Sequence, residues 1–377
     1  MDVVLQYIPL WDPGLRHPVA ASALSVIVPT YNERDNVDEL VERINKSLAG
    51  RKYEILFVDD NSRDGTADAA TALSGKYPIR VIVRTNERGL ASAVVHGFKN
   101  TSNDVIGVID ADLQHPPEVV ADLLKAIDEG ADVAIASRYV KGGSCEGWGL
   151  MRRIISKGAI FLSHLFLPRT RGITDPMAGF FMFRRSVITG ADLKPTGYKI
   201  LLEILIAGKF NKVAEVPYAF KVRTKGESKL SSKTQIDYLK HLFSLMQRSG
   251  ELLRFIKFAV VGGTGVLVNL GTYWLLTRFA TINEFGALAI SFEASVVSNF
   301  LLNNFFTFSD RRVNNAFPFA VQFVKFNVIS LGGLGIQEGC LWLFHTAAGL
   351  NDILAVGIGI VLATLWNYLL NSWWTWK

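Results

Sequence analysis

Residues 105 to 118 read VIGVIDADLQHPPE. The run Val105 to Ile109 is short and apolar and leads straight into Asp110-Ala111-Asp112, with Gln114 two places further on. An apolar run of that length, bounded by polar residues, has the character of a strand buried on both faces of a parallel sheet. Two carboxylates at i and i+2 on the chain leaving it, with an amide at i+4, can set oxygens around one hard divalent cation, whose other ligands come from a diphosphate and water.

Four more stretches share that character: Leu24 to Pro29 (LSVIVP), Tyr53 to Val58 (YEILFV), Ile79 to Val83 (IRVIV) and Val133 to Ala136 (VAIA). Helical patterns such as Arg34 to Leu48 and Leu90 to Lys99 separate them. The alternation predicts a doubly wound, Rossmann-like α/β sheet, in which ligands bind outside the carboxyl ends of the strands. Polar motifs stand at three of those ends: Pro29-Thr30-Tyr31-Asn32-Glu33, Asp59-Asp60-Asn61-Ser62-Arg63-Asp64-Gly65-Thr66, and the Asp110 motif. One alone would read as a turn and helix cap; three in one domain point to a site. No GxxxxGK[ST] or GxGxxG occurs, so neither a P-loop nor a dinucleotide fold is supported.

The charge of the 377 residues is segregated. Residues 1 to 151 carry 15 Lys and Arg against 22 Asp and Glu, residues 152 to 257 carry 20 against 7, and residues 258 to 377 carry 5 against 5. An acidic, a basic and a nearly uncharged block, with 49% hydrophobic residues, exclude a disordered, fibrous or wholly soluble chain. Cys145 and Cys340, the only cysteines, lie in blocks of different character, so neither a disulfide framework nor a zinc site is expected. Residues 1 to 23, interrupted by Pro9, Pro13 and Pro18 and lacking a basic start, read as an N-terminal extension and not a secretory signal.

Four stretches are expected to span a membrane: Phe258 to Leu276, Phe285 to Phe308, Phe326 to Leu350 and Ile353 to Trp374. They contain a repeat. Phe255, Lys257, Phe258 and Val260 recur 68 positions later as Phe323, Lys325, Phe326 and Val328, and at the same offset Asn299, Leu301, Leu302, Asn303 and Thr307 recur as Asn367, Leu369, Leu370, Asn371 and Thr375. A duplicated two-helix hairpin follows, both copies facing the same way. Arg248, Arg254, Lys257, Arg311, Arg312 and Lys377 fall on one side and only Arg278 on the other, which predicts cytoplasmic termini and a cytoplasmic soluble domain. Phe305, Phe306, Trp373, Trp374 and Trp376 suit an interfacial belt. Glu293 and Glu338 are intramembrane carboxylates, a class that often marks function, but neither recurs at the offset and a protein-facing structural role is the expectation. The region resembles the GtrA-like membrane domains, which implies a link to polyprenyl-linked sugars.

The motifs PTYNE (29–33), VDDNSRDGT (58–66), DADLQHPPE (110–118), Ser137-Arg138-Tyr139, DPMAGF (175–180) and RTKGESKL (223–230) together resemble the dolichyl-phosphate mannosyltransferases of glycosyltransferase family 2. The resemblance covers residues 24 to about 250. It implies an α/β GT-A catalytic domain, a nucleotide-sugar donor with GDP-mannose expected, Mg2+ or Mn2+ as cofactor, and a dolichyl or other polyprenyl phosphate as acceptor. A UDP-glucose or UDP-N-acetylhexosamine donor is the alternative, and flipping of the lipid-linked sugar by the membrane domain is an alternative of another class. Carried over motif by motif, Pro29, Tyr31, Glu33, Val58 and Asp60 would hold base and ribose. Asp110, Ala111, Asp112 and Gln114 would hold metal and diphosphate, with Asp110, Asp112 and Gln114 as metal ligands. Arg138, Lys199, Arg223 and Lys229 would hold phosphates, and Asp112, Arg138 and Arg223 would act in catalysis. Arg138, Arg152 and Ser156 would grip the acceptor phosphate. Met177 departs from the pattern, which carries a small residue there.

Breaking a sugar–diphosphate bond develops negative charge on the departing nucleotide, and a metal with arginines and lysines meets that charge. The acceptor needs no base, since a phosphate monoester with a second pKa of about 6 is already mostly dianionic at neutral pH. Direct attack on the anomeric carbon predicts inversion. Met151 to Leu167 and Lys233 to Arg248 are basic and amphipathic and fit helices lying in the headgroup plane. The expected organisation is an extension (1–23), a catalytic domain (24–230, including the interface helix 151–167), a second interface helix (231–250) and a membrane domain of four helices in two repeats (251–377). The bilayer and the two substrates are the partners implied; nothing points to nucleic acid or to an obligate protein partner.

Overall fold

The computed structural model describes residues 6–7, 22–194, 197–222, 232–280, 282–313 and 315–376. The chain divides into two compact units, Met1–Leu245 and Met246–Lys377.

The first unit is built on strands β1 (Gln6–Tyr7), β2 (Leu24–Thr30), β3 (Tyr53–Asp59), β4 (Ile79–Val83), β5 (Val105–Val108), β6 (Val133–Ser137), β7 (Ser144–Cys145), β8 (Phe181–Arg184), β9 (Lys212–Pro217) and β10 (Ala219–Phe220). Eight of them form one sheet in the order β1-β9-β6-β8-β5-β2-β3-β4, and β7 pairs with β10 apart from it. The five expected strands lie where the apolar runs placed them, to within a residue at each end. β8 is an addition: it slots antiparallel between β5 and β6, while the other sheet pairings are parallel. Its FMFR sequence is too short to show a period, and pairing on both edges is what makes it a strand.

Helices α1 (Arg34–Ser47), α2 (Thr66–Ala72) and α4 (Val119–Asp128) cover one face of the sheet, and α3 (Leu90–Lys99) and α6 (Ile200–Ala207) the other. Helix α1 buries Val37, Leu40, Val41 and Ile44, at three- and four-residue spacing, against Val26 and Val28 of β2. Leu40 and Ile44 are fully enclosed, and each such side chain contributes about 1.5–3 kcal/mol. Ile27, pointing the other way from β2, packs with Val94 and Phe98 of α3. Helix α5 (Leu150–Phe166) and helix α7 (Ser232–Arg248) complete the labelled helices up to residue 248, and the Tyr238 hydroxyl of α7 donates to the Ala159 carbonyl of α5 at 2.7 Å.

The second unit contains α8 (Glu251–Arg278), α9 (Glu284–Leu302), α10 (Ala316–Leu341) and α11 (Asp352–Leu370). Helices α9, α10 and α11 run on into π-helical turns at Asn303–Thr307, Trp342–Ala347 and Asn371–Thr375. Three spans, Glu284–Thr307, Ala316–Ala347 and Asp352–Thr375, are long and apolar enough to cross a membrane. The first of the four expected spans, residues 258–276, is helical throughout and lies within α8.

The 68-residue repeat is visible in the packing. A Cβ on Gly265 would lie 2.3 Å from the Asn299 amide, and one on its counterpart Gly333 would lie 2.5 Å from the amide of Asn367, so each hairpin closes by seating an asparagine on a glycine. Contacts between hairpins are reciprocal: Phe255 and Phe258 meet Tyr368 at 5.1 and 5.6 Å between centroids, while Phe323 and Phe326 meet Phe300 at 5.2 and 5.7 Å. Where the two copies face each other, the fully buried rings of Phe308 and Trp376 stack at 4.5 Å. Glu293, expected to face protein, accepts from the Asn327 amide of α10 at 2.8 Å. Glu338 lines an open cavity with Trp342, His345 and Asp352.

Candidate active site

Because β2 lies between β5 and β3, the three polar motifs leave the sheet side by side. Each turns through one residue with positive φ: Asn32 at 57°, Asn61 at 58° and Leu113 at 58°. Asparagine tolerates that conformation, whereas for a leucine it costs about 1–2 kcal/mol, and such strain gathers at functional sites. The first two loops are laced together. The Asn32 N–H donates to Ser62 Oγ at 2.8 Å, the Arg63 N–H to Asn32 Oδ1 at 3.1 Å and the Glu33 N–H to Thr66 Oγ1 at 3.0 Å. Burial pushes the Asp64 carboxyl up, but hydrogen bonds from Thr66 and the Arg34 N–H outweigh it and hold it below the usual range.

Of the residues expected around base and ribose, Pro29 and Val58 are buried in β2 and β3, and Tyr31 and Glu33 lie half-buried on the loop. The Arg88 guanidinium sits 4.9 Å over the Tyr31 ring. Asp60 is buried and heavily engaged: Arg84 donates to its Oδ1 and the Gly89 N–H to its Oδ2 at 2.8 Å. It therefore braces the loop that carries Arg88.

At the exit of β5, Ala111, Asp112 and Gln114 are buried, while the Asp110 side chain is 30% exposed. The Gln114 N–H donates to Asp112 Oδ1 at 3.1 Å, and the Gln114 side-chain amide donates to the Lys221 carbonyl at 3.1 Å. That amide bond commits the nitrogen, so the oxygen of Gln114 is the end suited to a cation. Among the described residues no three His, Cys, Asp or Glu side chains converge on a closed cage. Two carboxylates and an amide, all oxygen donors, would suit a hard divalent cation that takes its remaining ligands from a bound diphosphate and water. Glycine at 179 preserves the room: a Cβ there would come within 3.0 Å of Asp110 Oδ2.

Arg138, on the chain leaving β6, is locked. Its Nε and Nη2 donate to the two Asp175 oxygens at 2.7 and 2.8 Å, and its backbone N–H donates to Oδ2 at 3.1 Å. Asp175 is fully buried and Arg138 is 8% exposed. Glu215 of β9 in turn accepts the N–H groups of Thr174 and Asp175 at 2.7 and 2.9 Å. Burial works against the charge on Arg138, but the carboxylate prevails and drives its pKa above the ordinary arginine value. A guanidinium held through one edge keeps its other edge for an anion. Trp148 lies between two arginines, 5.3 Å from Arg138 and 4.2 Å from Arg152.

Lys199, at the start of α6, donates to the Met177 carbonyl at 3.0 Å. Burial, with Arg138 and Arg152 nearby, pulls its pKa down to about 8, against the pull of Asp175 and Asp110. The same neighbours show that Asp110, Arg138, Arg152 and Lys199 share one electrostatic environment. Ser156 accepts from the Tyr139 hydroxyl at 2.8 Å, one turn along α5 from Arg152. The expected phosphate residues Arg223 and Lys229 lie outside the described residues.

Beyond this inward row, α5 exposes Leu150, Met151, Ile154, Ile155 and Phe161, and α7 exposes Ile236, Leu239 and Phe243. Two helices of one unit thus present apolar side chains outward, with Arg153 and Lys157 exposed on the same helix as the first set. Sequence reasoning assigned no role to Asp175, Gly179, Glu215, Trp148 or His115. Asp175 and Gly179 stood inside the quoted DPMAGF motif; Glu215 and Trp148 carried no local signal.

Comparison with known proteins agrees with this fold. Residues 25–189 match the family model for glycosyl transferase family 2, and residues 257–376 match the GtrA/DPMS transmembrane domain. The chain is 46% identical over 353 residues to a dolichol-phosphate mannosyltransferase of Pyrococcus furiosus, a match covering 94% of this chain and 99% of that one. It is 39% identical over 250 residues to a dolichol-phosphate mannosyltransferase of Saccharomyces cerevisiae, covering 62% of this chain and 92% of that one. A crystal structure of glucosyl-3-phosphoglycerate synthase from Mycobacterium tuberculosis, in complex with Mn2+, UDP and glucosyl-3-phosphoglycerate, superposes with a TM-score of 0.50 at 21% identity, over 65% of this chain and 86% of that one; the likeness is one of fold.

Proposed function

Since this chain belongs to the dolichol-phosphate mannosyltransferases of glycosyl transferase family 2, we propose that it transfers mannose from GDP-mannose to a dolichyl or other polyprenyl phosphate at the cytoplasmic membrane face, with inversion. The observation that carries this reading is that Asp110, at the exit of β5, shares the surroundings of Lys199 with Arg138 and Arg152, so that three cations gather near the Asp110-Ala111-Asp112 motif.

A divalent cation, Mg2+ or Mn2+, held by Asp110, Asp112 and Gln114 would neutralise the donor diphosphate as its bond to the sugar breaks. The protein's own residues do the rest. Tyr31 and Glu33 border the face where the nucleoside lies, and Asp60 fixes the adjoining loop through Arg84 and Gly89. Arg138, unable to swing because Asp175 holds its fork, offers a preorganised charge to a phosphate, which costs no reorganisation during reaction. Lys199 adds a second charge, with Arg223 and Lys229 assigned the same task. Arg152 and Ser156 take the acceptor phosphate, one oxygen of which attacks the anomeric carbon while the carbon–oxygen bond to GDP breaks and GDP leaves with the electron pair. The acceptor arrives already ionised, so no side chain need remove a proton.

The outward apolar residues of α5 and α7 support a placement of these helices among lipid headgroups, where a polyprenyl phosphate emerges. Lysine and arginine gathered on one side of the membrane segments support the cytoplasmic assignment. A donor panel tests the reading: protein in detergent with Mn2+ or Mg2+, a polyprenyl phosphate, and labelled GDP-mannose, UDP-glucose or UDP-N-acetylglucosamine, scored by label entering the organic phase. Transfer from GDP-mannose alone is expected. Transfer only from a UDP-sugar would overturn the donor, and turnover unaffected by EDTA would overturn the metal.

A further inference from the structure

His115 is unaccounted for by the roles above. It is 4% exposed and walled by aromatic rings, with centroids at 5.5 Å for Phe180, 5.4 Å for Tyr218 and 5.2 Å for Phe220. Its Nε2 stands 3.4 Å from Asp110 Oδ2, while its buried Nδ1 has no hydrogen-bond partner among the described residues. A neutral imidazole carries its proton on one nitrogen only. With the proton on Nδ1, an N–H would be buried without an acceptor and the Nε2 lone pair would face a carboxylate; with the proton on Nε2, an N–H meets Asp110. The second tautomer is favoured on both counts.

The surroundings are built for that contact. Leu113, in its left-handed conformation, folds the chain back between Asp110 and His115. Glycine at 179 leaves room for the contact, since a Cβ there would lie 3.0 Å from Asp110 Oδ2 and 3.5 Å from His115 Nε2. Three rings, one strained turn and one glycine thus serve a single polar contact with one carboxylate oxygen.

We propose that His115 is a positioning residue for Asp110, its Nε2–H holding Oδ2 so that Oδ1 is presented to the divalent cation. The inference rests on the reading of Asp110 as a metal ligand. Hydrogen bonds that orient a ligating carboxylate change metal affinity by about 10–100-fold when removed. Free Mn2+ is titrated by electron paramagnetic resonance into full-length protein in detergent with GDP present, for the parent, His115→Phe, His115→Gln and the double variant Asp110→Asn with Asp112→Asn, each also melted.

His115→Phe, which keeps the aromatic packing, is expected to weaken Mn2+ binding by about 10–100-fold. His115→Gln, whose amide can donate to Asp110, is expected to recover most of the loss. Parental Mn2+ affinity in His115→Phe overturns the inference, whether or not its melting temperature falls. Should His115→Phe not fold, His115→Leu is read by the same criterion. The double variant separates the two claims: if it binds Mn2+ like the parent, the metal reading fails and this inference with it, whereas loss there with none in His115→Phe removes the inference alone.

Discussion

Replacing Asp175 by asparagine tests whether Arg138 is preorganised or merely near. Asp175 is fully buried and accepts three N–H donors from Arg138, two of them from the guanidinium at 2.7 and 2.8 Å. Asparagine preserves the volume but removes the charge and turns an NH2 group toward a buried cation. Breaking a buried ion pair from one side costs about 3–5 kcal/mol, and both partners are shielded from water, so no discount for screening applies. For a unit of this size each kcal/mol moves the midpoint by about 2–4 °C, so the first thermal transition should fall by about 6–20 °C. Transfer, measured below that transition, should fall as well, because a loosened guanidinium must be reorganised at each turnover. Arg138→Lys separates fold from function: it keeps a charge near Asp175 and loses the fork, so it should lose more in turnover than in melting temperature. An Asp175→Asn protein that melts within about 2 °C of the parent and transfers mannose at the parental rate would refute the reasoning, since the buried pair would then be doing nothing.

Three further outcomes are expected. Lys199, with its pKa pulled down to about 8 by burial and by Arg138 and Arg152, is mostly charged at pH 7 and loses its proton as pH rises through 8, so the donor KM should climb between pH 7 and 9 in the parent but stay level in Lys199→Arg; parallel profiles would exclude Lys199 from donor binding. Arg152→Ala should raise the KM for polyprenyl phosphate about tenfold or more, the worth of a charged hydrogen bond, with the donor KM unchanged; a change confined to the donor would move Arg152 to the other substrate. Gly265→Leu should destabilise the membrane unit by about 1–3 kcal/mol or more, since its Cβ would begin 2.3 Å from the Asn299 amide, whereas Gly262→Leu, with open space around that position, should melt in detergent like the parent.

Local sequence revealed the parts of the fold that local sequence determines. The strands at 24–30, 53–59 and 105–108 are apolar runs closed by polar exits, and their pattern alone locates them. β8 escaped because four residues show no period and its antiparallel place depends on two neighbours far away in the chain. The site divides in the same way. Asp110 and Asp112 announce themselves through their spacing and through the strand before them. Asp175 is silent in isolation, and its importance appears only once folding carries it across 37 residues to Arg138. Asp60, expected at the nucleoside, also braces a loop through Arg84, a partner on another strand exit that no spacing rule identifies. The hairpin repeat was legible as an offset, but its fit, asparagine onto glycine, required the neighbouring helix.

The reciprocal contacts of the membrane unit carry a consequence for how its two hairpins can differ. Two separate identical hairpins that meet through equivalent contacts must present the same residue on both sides, so any substitution acts twice. Joined in one chain, the copies can diverge singly, and they have. Where Phe300 meets Phe319, ring centroids 5.1 Å apart, the pair at the same offset is Tyr368 and Glu251, linked by a hydrogen bond of 3.2 Å. Where Phe308 lies, its counterpart is Trp376, which turns its indole N–H to Asn304. Of two equivalent contacts between the hairpins, one is therefore polar and the other apolar, an asymmetry that no assembly of identical hairpins could reach.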